Sequence, residues 1–250
     1  MKRSWRYDSD SSDSDEAANM FWLMSSHKKQ RTGKDLEKVR IPFPDMEWMT
    51  EYVKRKSGSG SSGKVNTKGR VINFSGKVCR ESANDICKSI TRLNQDWDDL
   101  VSDDLIKSAE PNPIILRINS NGGTITSAFQ VIDKMKSSKL PVHTIVEGCA
   151  ASAATLISIC GTKRFITKRA YMLIHQLSSG VIGKHAEIED ELKNCNLMMD
   201  DIKKLYKNHT KMSKSTMKKF LLRDLLWKSG ECLKHGLVDE IIEDNENGKN

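Results

Sequence analysis

Three strand-like runs, each stopped by glycine and each followed by a segment of helical character, constrain the fold of this chain more than any other feature. Arg70 to Phe74 is broken at Gly76, Ile114 to Ile118 ends in Asn119 to Gly123, and Val142 to Val146 ends at Gly148. Behind the first, Ala83, Ile86, Ile90 and Leu93 are spaced by 3, 4 and 3, one face of a helix over Ser82 to Leu93. Behind the second, Ala128, Val131, Ile132 and Met135 share one face of Thr124 to Met135. Behind the third, Cys149 to Ala154 open an apolar helix. Repetition of strand, glycine turn and helix predicts an α/β fold, with parallel strands joined by crossover helices.

The third unit also carries the most suggestive chemistry. Ser152 is predicted at or near the first turn of its helix, where backbone N–H groups have no partner within the helix and are able to hold an anionic oxygen. A short basic hairpin is expected next, and then Tyr171 to Ile174 reads as a buried strand closed by His175, 23 positions beyond Ser152. Each residue has a bland explanation: small residues at a helix start usually serve close packing, and a histidine after a core strand is usually structural. A serine hydroxyl becomes a useful nucleophile only with a base, and that base needs an orienting acid. Gly122-Gly123 likewise either permits a tight turn or lets a substrate backbone approach with an N–H facing the reacting carbonyl.

Four segments, taken together, resemble the proteolytic subunit of the Clp protease. Glu147-Gly148-Cys149-Ala150-Ala151-Ser152 is similar to that family's nucleophile segment and Met172-Leu173-Ile174-His175-Gln176 to its base segment. Arg117-Ile118-Asn119-Ser120-Asn121-Gly122-Gly123 resembles its glycine turn, with Asn121 where the family usually has proline. Arg223-Asp224 followed by His235-Gly236-Leu237-Val238-Asp239 resembles its acid segment. The resemblance runs from about Arg70 to Ile242 and implies a crotonase-like fold with a parallel-rich sheet, crossover helices and a protruding handle helix. It further implies a serine endopeptidase with Ser152 as nucleophile, His175 as base, Asp224 as orienting acid, and oxyanion donors at Gly123 and Ala153. By resemblance too, subunits form rings, as stacked heptamers, that receive unfolded polypeptide from an AAA+ unfoldase ATPase.

Residues from Ile188 through Leu192, Cys195, Met199 and Ile202 to Tyr206 recur at steps of 4 and 3, which predicts a long amphipathic helix. Within the family that segment is the handle joining two rings, so the whole stripe is expected to serve as a subunit contact. Asp190, Asp200 and Asp201 on it are expected in solvent, whereas Asp224, inside the apolar run Phe220 to Trp227, is expected to be buried and paired. Many relatives carry an acid at the position of Leu222 that pairs with the arginine corresponding to Arg223.

The remaining sequence sets bounds. Residues 1–64 read as a disordered extension: Asp8 to Glu16 is almost wholly Asp and Ser, Met20 to Met24 is a short apolar patch, Ile41 to Tyr52 carries prolines and aromatics, and Ser57 to Gly63 is a Ser-Gly linker. Residues 65–245 form the peptidase-like domain, with Asp96 to Pro113 as an insertion in its first crossover, and 246–250 are a polar tail. A formal charge of +8 is spread among acids without aromatic-basic motifs, so nucleic acid is not the expected partner. No run of eighteen apolar residues predicts a membrane span. Six cysteines without metal-ligand or disulfide spacing suit an intracellular, reducing compartment, cytoplasmic first, while the Ser-rich, charged extension, unlike a compact bacterial subunit, leaves an organellar or virus-encoded origin open. No metal or organic cofactor is expected in this chain, and without a Gly-Lys-Ser or Gly-Lys-Thr phosphate loop any ATP is used by a separate ATPase. A noncatalytic subunit of the same fold and a crotonase-type acyl-CoA enzyme stay open as alternatives.

Overall fold

The computed structural model describes residues 62–102 and 111–243. The acidic stretch, the patch at Met20 to Met24, the segment Ile41 to Tyr52, most of the linker, the middle of the insertion and the tail lie outside the described residues. In chain order the elements are β1 (Lys64–Lys68), β2 (Val71–Val78), α1 (Arg80–Ser102), β3 (Ile114–Gly123), α2 (Ile125–Lys136), β4 (Val142–Ala151) and α3 (Ala153–Ile159). They continue as β5 (Arg164–Thr167), β6 (Tyr171–Ile174), α4 (His185–His209), α5 (Lys214–Leu221), β7 (Leu225–Lys228), α6 (Ser229–Lys234) and β8 (Glu240–Ile242). This is the α/β order of strands and crossover helices that the sequence predicts.

One sheet runs in the order β1-β2-β3-β4-β5-β8, with β6 on β4 and β7 on β6 as a branch. The β2/β3, β3/β4, β4/β5, β4/β6 and β5/β8 pairs are parallel, whereas β1/β2 and β6/β7 are antiparallel. Along β3 burial alternates residue by residue, so Ile114, Leu116 and Ile118 face the helices while Ile115 and Arg117 stand on the more open face. Against the covered face α1 buries Ala83, Ile86, Ile90 and Leu93, and α2 buries Ala128, Val131, Ile132 and Met135, the positions their periodicity singles out. Beside α2, and packed on β3 and β4, α3 is buried all round, as its unbroken run of apolar and small residues requires.

Several sequence expectations are corrected. Gly76 does not end β2: it takes φ of 100° at a register shift between Ser75 and Lys77, and the strand resumes to Val78. The hairpin expected after α3 is absent from the described residues, because β5 and β6 each pair with β4, on Thr144–Val146 and Cys149–Ala151. The Ser-Gly linker ends earlier than expected, since Ser62 bridges to Lys77 and Gly63 is buried where a Cβ would stand 2.4 Å from the Lys77 carbonyl oxygen. The stripe of α4 divides: Ile202 and Tyr206 are 3% and 1% exposed in this chain's own core, whereas Ile188 and Leu192 stand open to solvent. No helix among the described residues is long and apolar enough to cross a membrane.

The C-terminal segment is fastened by Arg164. Its guanidinium donates to the carbonyl oxygens of His209 and Gly236 and to both carboxylate oxygens of Asp239. The hydrogen bond from Arg164 holds the Asp239 carboxyl below the usual carboxylate range. A folded-state pKa below the unfolded value of about 3.9 means stabilisation that is complete above that value and lost as pH falls through the depressed one. Asp239→Asn is therefore expected to lower the unfolding free energy near neutral pH, by no more than about 1 kcal/mol for so open a carboxylate, with the gap closing as pH falls through the depressed pKa. Paired urea titrations across that range measure it.

Candidate active site

The site forms where the ends of β3, β4 and β6 and the start of β7 meet. Within β3 the buried Ser120 accepts the Gly122 N–H on its hydroxyl at 3.1 Å, which bends the strand end toward β4. Gly122 and Gly123 have φ of 93° and 149°, the region that favours glycine. A Cβ on Gly122 would lie 2.6 Å from the Ala151 carbonyl oxygen and 2.7 Å from Ser152 Cβ, so the absence of a side chain there lets β3 close on the serine.

Ser152 stands at the start of its helix, as the sequence suggests, one residue before the first turn. Pairing of Cys149–Ala151 with β6 prolongs β4 past Gly148, so α3 starts at Ala153 and Ser152 is the N-cap residue between them. Its φ of 53° and ψ of −126° make it the one non-glycine residue of positive φ among the described residues. Backbone strain of this kind collects at functional sites. The Ser152 N–H donates to the Leu173 carbonyl at 2.9 Å, and the Thr155 N–H donates to the Ser152 carbonyl at 3.0 Å. The hydroxyl is not spent on capping α3, and the Ala153 N–H, first in the helix, has no acceptor inside it.

His175 follows β6 directly and Asp224 precedes β7. The antiparallel register ends with Ile174 opposite Leu225, and one further step sets His175 opposite Asp224. Their side chains meet there, Nδ1 to Oδ1 at 3.1 Å, leaving Nε2 as the ring nitrogen turned away from the carboxylate. Three contacts hold this corner. The Gln176 N–H donates to the Leu221 carbonyl at 2.9 Å, the Arg223 N–H donates to the Phe220 carbonyl at 3.0 Å, and Trp227 packs edge-on to Phe220 with centroids 4.2 Å apart. The sequence expectation of a buried acid is overturned, since the Asp224 side chain is 76% exposed. The run around it is apolar in composition only: Leu222, Leu225 and Leu226 also face solvent, and Trp227 alone of that strand turns inward. Asp190, Asp200 and Asp201 pair with Lys193, Lys203 and Lys204 on the open side of α4.

Ser152, His175, Gly123 and Ala153 line one small cleft of about 50 Å³, whose far wall is Ile202 and Tyr206 from α4. The sequence predicts the first four and misses the wall. Tyr206 carries only a helical-period signal, and the way α4 folds back over α3 brings it to the serine. A strained serine, an imidazole and a carboxylate that orients it are the groups by which serine hydrolases form and break acyl bonds.

The Clp protease family model matches residues 61–245, and the chain belongs to that family. The ATP-dependent Clp protease proteolytic subunit 1 of Protochlamydia amoebophila is 34% identical over 134 residues, 52% of this chain and 65% of that protein. Proteolytic subunit 1 of Chlamydia muridarum is 32% identical over 134 residues, 52% of this chain and 70% of its own length. Proteolytic subunit 2 of Frankia casuarinae is 32% identical over 140 residues, 55% of this chain and 64% of its own length. The chain thus spans about two thirds of the length of these relatives.

Two glycines separate crowding from backbone strain. Gly69 also has positive φ, 57°, but a Cβ there would meet nothing within 4 Å. Gly69→Ala is expected to cost only the left-handed penalty of roughly 1–2 kcal/mol, whereas Gly122→Ala adds the collision with Ala151 and Ser152 and costs more. Chemical unfolding of the two variants side by side gives the difference.

Proposed function

We propose that this chain is a serine endopeptidase that cleaves unfolded polypeptide as the proteolytic component of an ATPase-coupled complex. The observation that carries the proposal is the His175–Asp224 pair beside the cleft that holds Ser152. Membership of the Clp protease family supports it. His175 Nε2 takes the Ser152 hydroxyl proton as Oγ adds to the scissile carbonyl carbon. The N–H groups of Gly123 and Ala153 receive the resulting oxyanion. The imidazolium, steadied by Asp224, gives its proton to the departing amine, and water then releases the acyl group by the same steps in reverse roles. These side chains and backbone groups supply every proton and electron pair required, so no metal or organic cofactor enters the proposal. A crotonase-type acyl-CoA reaction would leave His175 and Asp224 without a task.

The same proposal includes partners. Relatives named as ATP-dependent proteolytic subunits support a separate AAA+ unfoldase that consumes the ATP. Self-association into rings, with stacked heptamers as the arrangement, draws support from the solvent-facing Ile188 and Leu192 on α4. Six free cysteines agree with a reducing, intracellular compartment.

Ser152→Ala is expected to fold and assemble while losing peptide hydrolysis by on the order of a thousandfold or more, because the catalytic groups act as a unit. A fluorophosphonate should label Ser152 in the wild-type protein. Turnover of a fluorogenic peptide by purified Ser152→Ala at the wild-type rate would reject the nucleophile.

Because Met199 and Ile202 pack into this chain's own core, assembly is better probed further along α4. At Leu192 the side chain is 62% exposed, so lysine there should leave thermal unfolding of the subunit little changed, within about 0.5 kcal/mol. It should shift sedimentation toward smaller species. Unchanged sedimentation of Leu192→Lys would remove the exposed stripe from the assembly interface.

A further inference from the structure

Tyr206 is the largest fully buried side chain of the described domain, and its hydroxyl lies 2.5 Å from Thr155 Oγ1. Thr155 Oγ1 in turn donates to the Ser152 carbonyl oxygen at 2.6 Å, in addition to the Thr155 N–H at 3.0 Å. A threonine hydroxyl has one proton, and here it is spent on Ser152. The direction of the chain is therefore fixed: the Tyr206 O–H donates to Thr155 Oγ1, and Thr155 O–H donates to the Ser152 carbonyl. Burial pushes the Tyr206 phenol well up from its ordinary value, which keeps the donating proton in place.

The carbonyl at the end of this chain belongs to a particular peptide group. Ser152 C=O and Ala153 N–H are two ends of one planar trans unit, so they point in opposite directions and turn together. Whatever holds the carbonyl aims the N–H. Ser152 has φ of 53° and ψ of −126°, a sparsely populated conformation that would relax by rotation of this peptide. Two donors from Thr155 oppose that rotation, and Tyr206, brought by α4, fixes the rotamer of the threonine hydroxyl. Hydrogen bonds accepted by a peptide carbonyl also polarise its N–H, which makes it a better donor.

We propose that Tyr206 and Thr155 are positioning residues that hold the Ser152–Ala153 peptide so that the Ala153 N–H faces the developing oxyanion. The proposal rests on the serine-peptidase function above and assigns a task to two residues that touch neither the attacked carbonyl nor the transferred proton. A buried tyrosine that merely satisfied its hydroxyl would matter for stability alone. A tyrosine that aims an oxyanion donor matters for the transition state more than for substrate binding.

The test compares Tyr206→Phe, Thr155→Val and Thr155→Ser with wild type in the full chain. Kinetics of a fluorogenic peptide are combined with inhibition by a peptide boronate, whose tetrahedral adduct on Ser152 places an oxygen at the oxyanion position. Loss of one neutral hydrogen bond corresponds to roughly a 3- to 10-fold effect. Tyr206→Phe and Thr155→Val are expected to lower kcat by that factor with KM nearly unchanged, and to weaken boronate inhibition in parallel. Thr155→Ser, which keeps the hydroxyl, should recover most of the rate that Thr155→Val loses. Thermal unfolding identifies a variant that fails to fold, and the remaining variant then decides. Wild-type kcat and boronate affinity in a folded Tyr206→Phe or Thr155→Val would overturn the positioning role while leaving Ser152 as nucleophile. Wild-type protein that neither hydrolyses peptide nor is labelled at Ser152 would overturn the peptidase function and this inference with it.

Discussion

The structure depends on a change of partner along β4. From Thr144 to Val146 that strand pairs with β5, and from Cys149 to Ala151 the same edge pairs with β6. Between them stands Gly148, at φ of 67° with the Asn119 side chain against it, where a Cβ would approach that amide to 3.1 Å. Because β4 keeps a neighbour after β5 has left, it runs on as a strand to Ala151 and delivers Ser152 at its carboxyl end. Because the new neighbour is β6, His175 arrives at the same end, and β7 paired on β6 brings Asp224. In α/β sheets ligands bind beyond the carboxyl ends of the parallel strands, and here one fork in the ladder assembles that end.

Asp224 shows how register does what burial does elsewhere. An exposed ion pair contributes little to stability, and this carboxylate is mostly in solvent. Its direction toward Nδ1 is set by backbone pairing: four β6/β7 positions are in register, from Tyr171 opposite Lys228 to Ile174 opposite Leu225. Trp227 anchors that edge strand between Phe220 and His235, with centroids 4.2 and 4.8 Å away. Such aromatic contacts are worth about 0.5–1.5 kcal/mol each beyond the area they bury. The acid is thus held by the strand that carries it more than by its own surroundings.

Much of this was legible in the sequence where a period of 3.6 or a run of β-formers carried the signal. Ala83, Ile86, Ile90 and Leu93 are buried as their spacing predicts, and β6 spans Tyr171–Ile174 as read. What escaped depends on tertiary pairing. β1 has Val65 as its one large apolar residue, and only the edge of β2 makes it a strand. Cys149 to Ala151 are small and suit a helix, and β6 holds them extended instead. Local composition placed Asp224 in a core, but β7 is an edge strand paired only with β6, and Leu225 and Leu226, on its two opposite faces, are both open to solvent. The apolar stripe of α4 could not disclose where the domain's own core stops, between Ile202 and Leu192.

The same limits explain why the conformation of Ser152 had no sequence signal. A non-glycine residue in so sparse a region costs of order 1–3 kcal/mol and persists only if its surroundings over-determine it. Neighbours on four sides do so. The Leu173 carbonyl holds its N–H, Thr155 holds its carbonyl, Gly122 lets β3 press against its Cβ, and the buried α3 fixes the residue after it. These come from different parts of the chain, up to Tyr206 behind Thr155. A small residue is required by the crowding, whereas a serine in particular is not: its hydroxyl makes no cap bond to the helix it precedes. Alanine would meet the packing demand with less polarity at the same junction, so packing alone does not account for the hydroxyl at position 152.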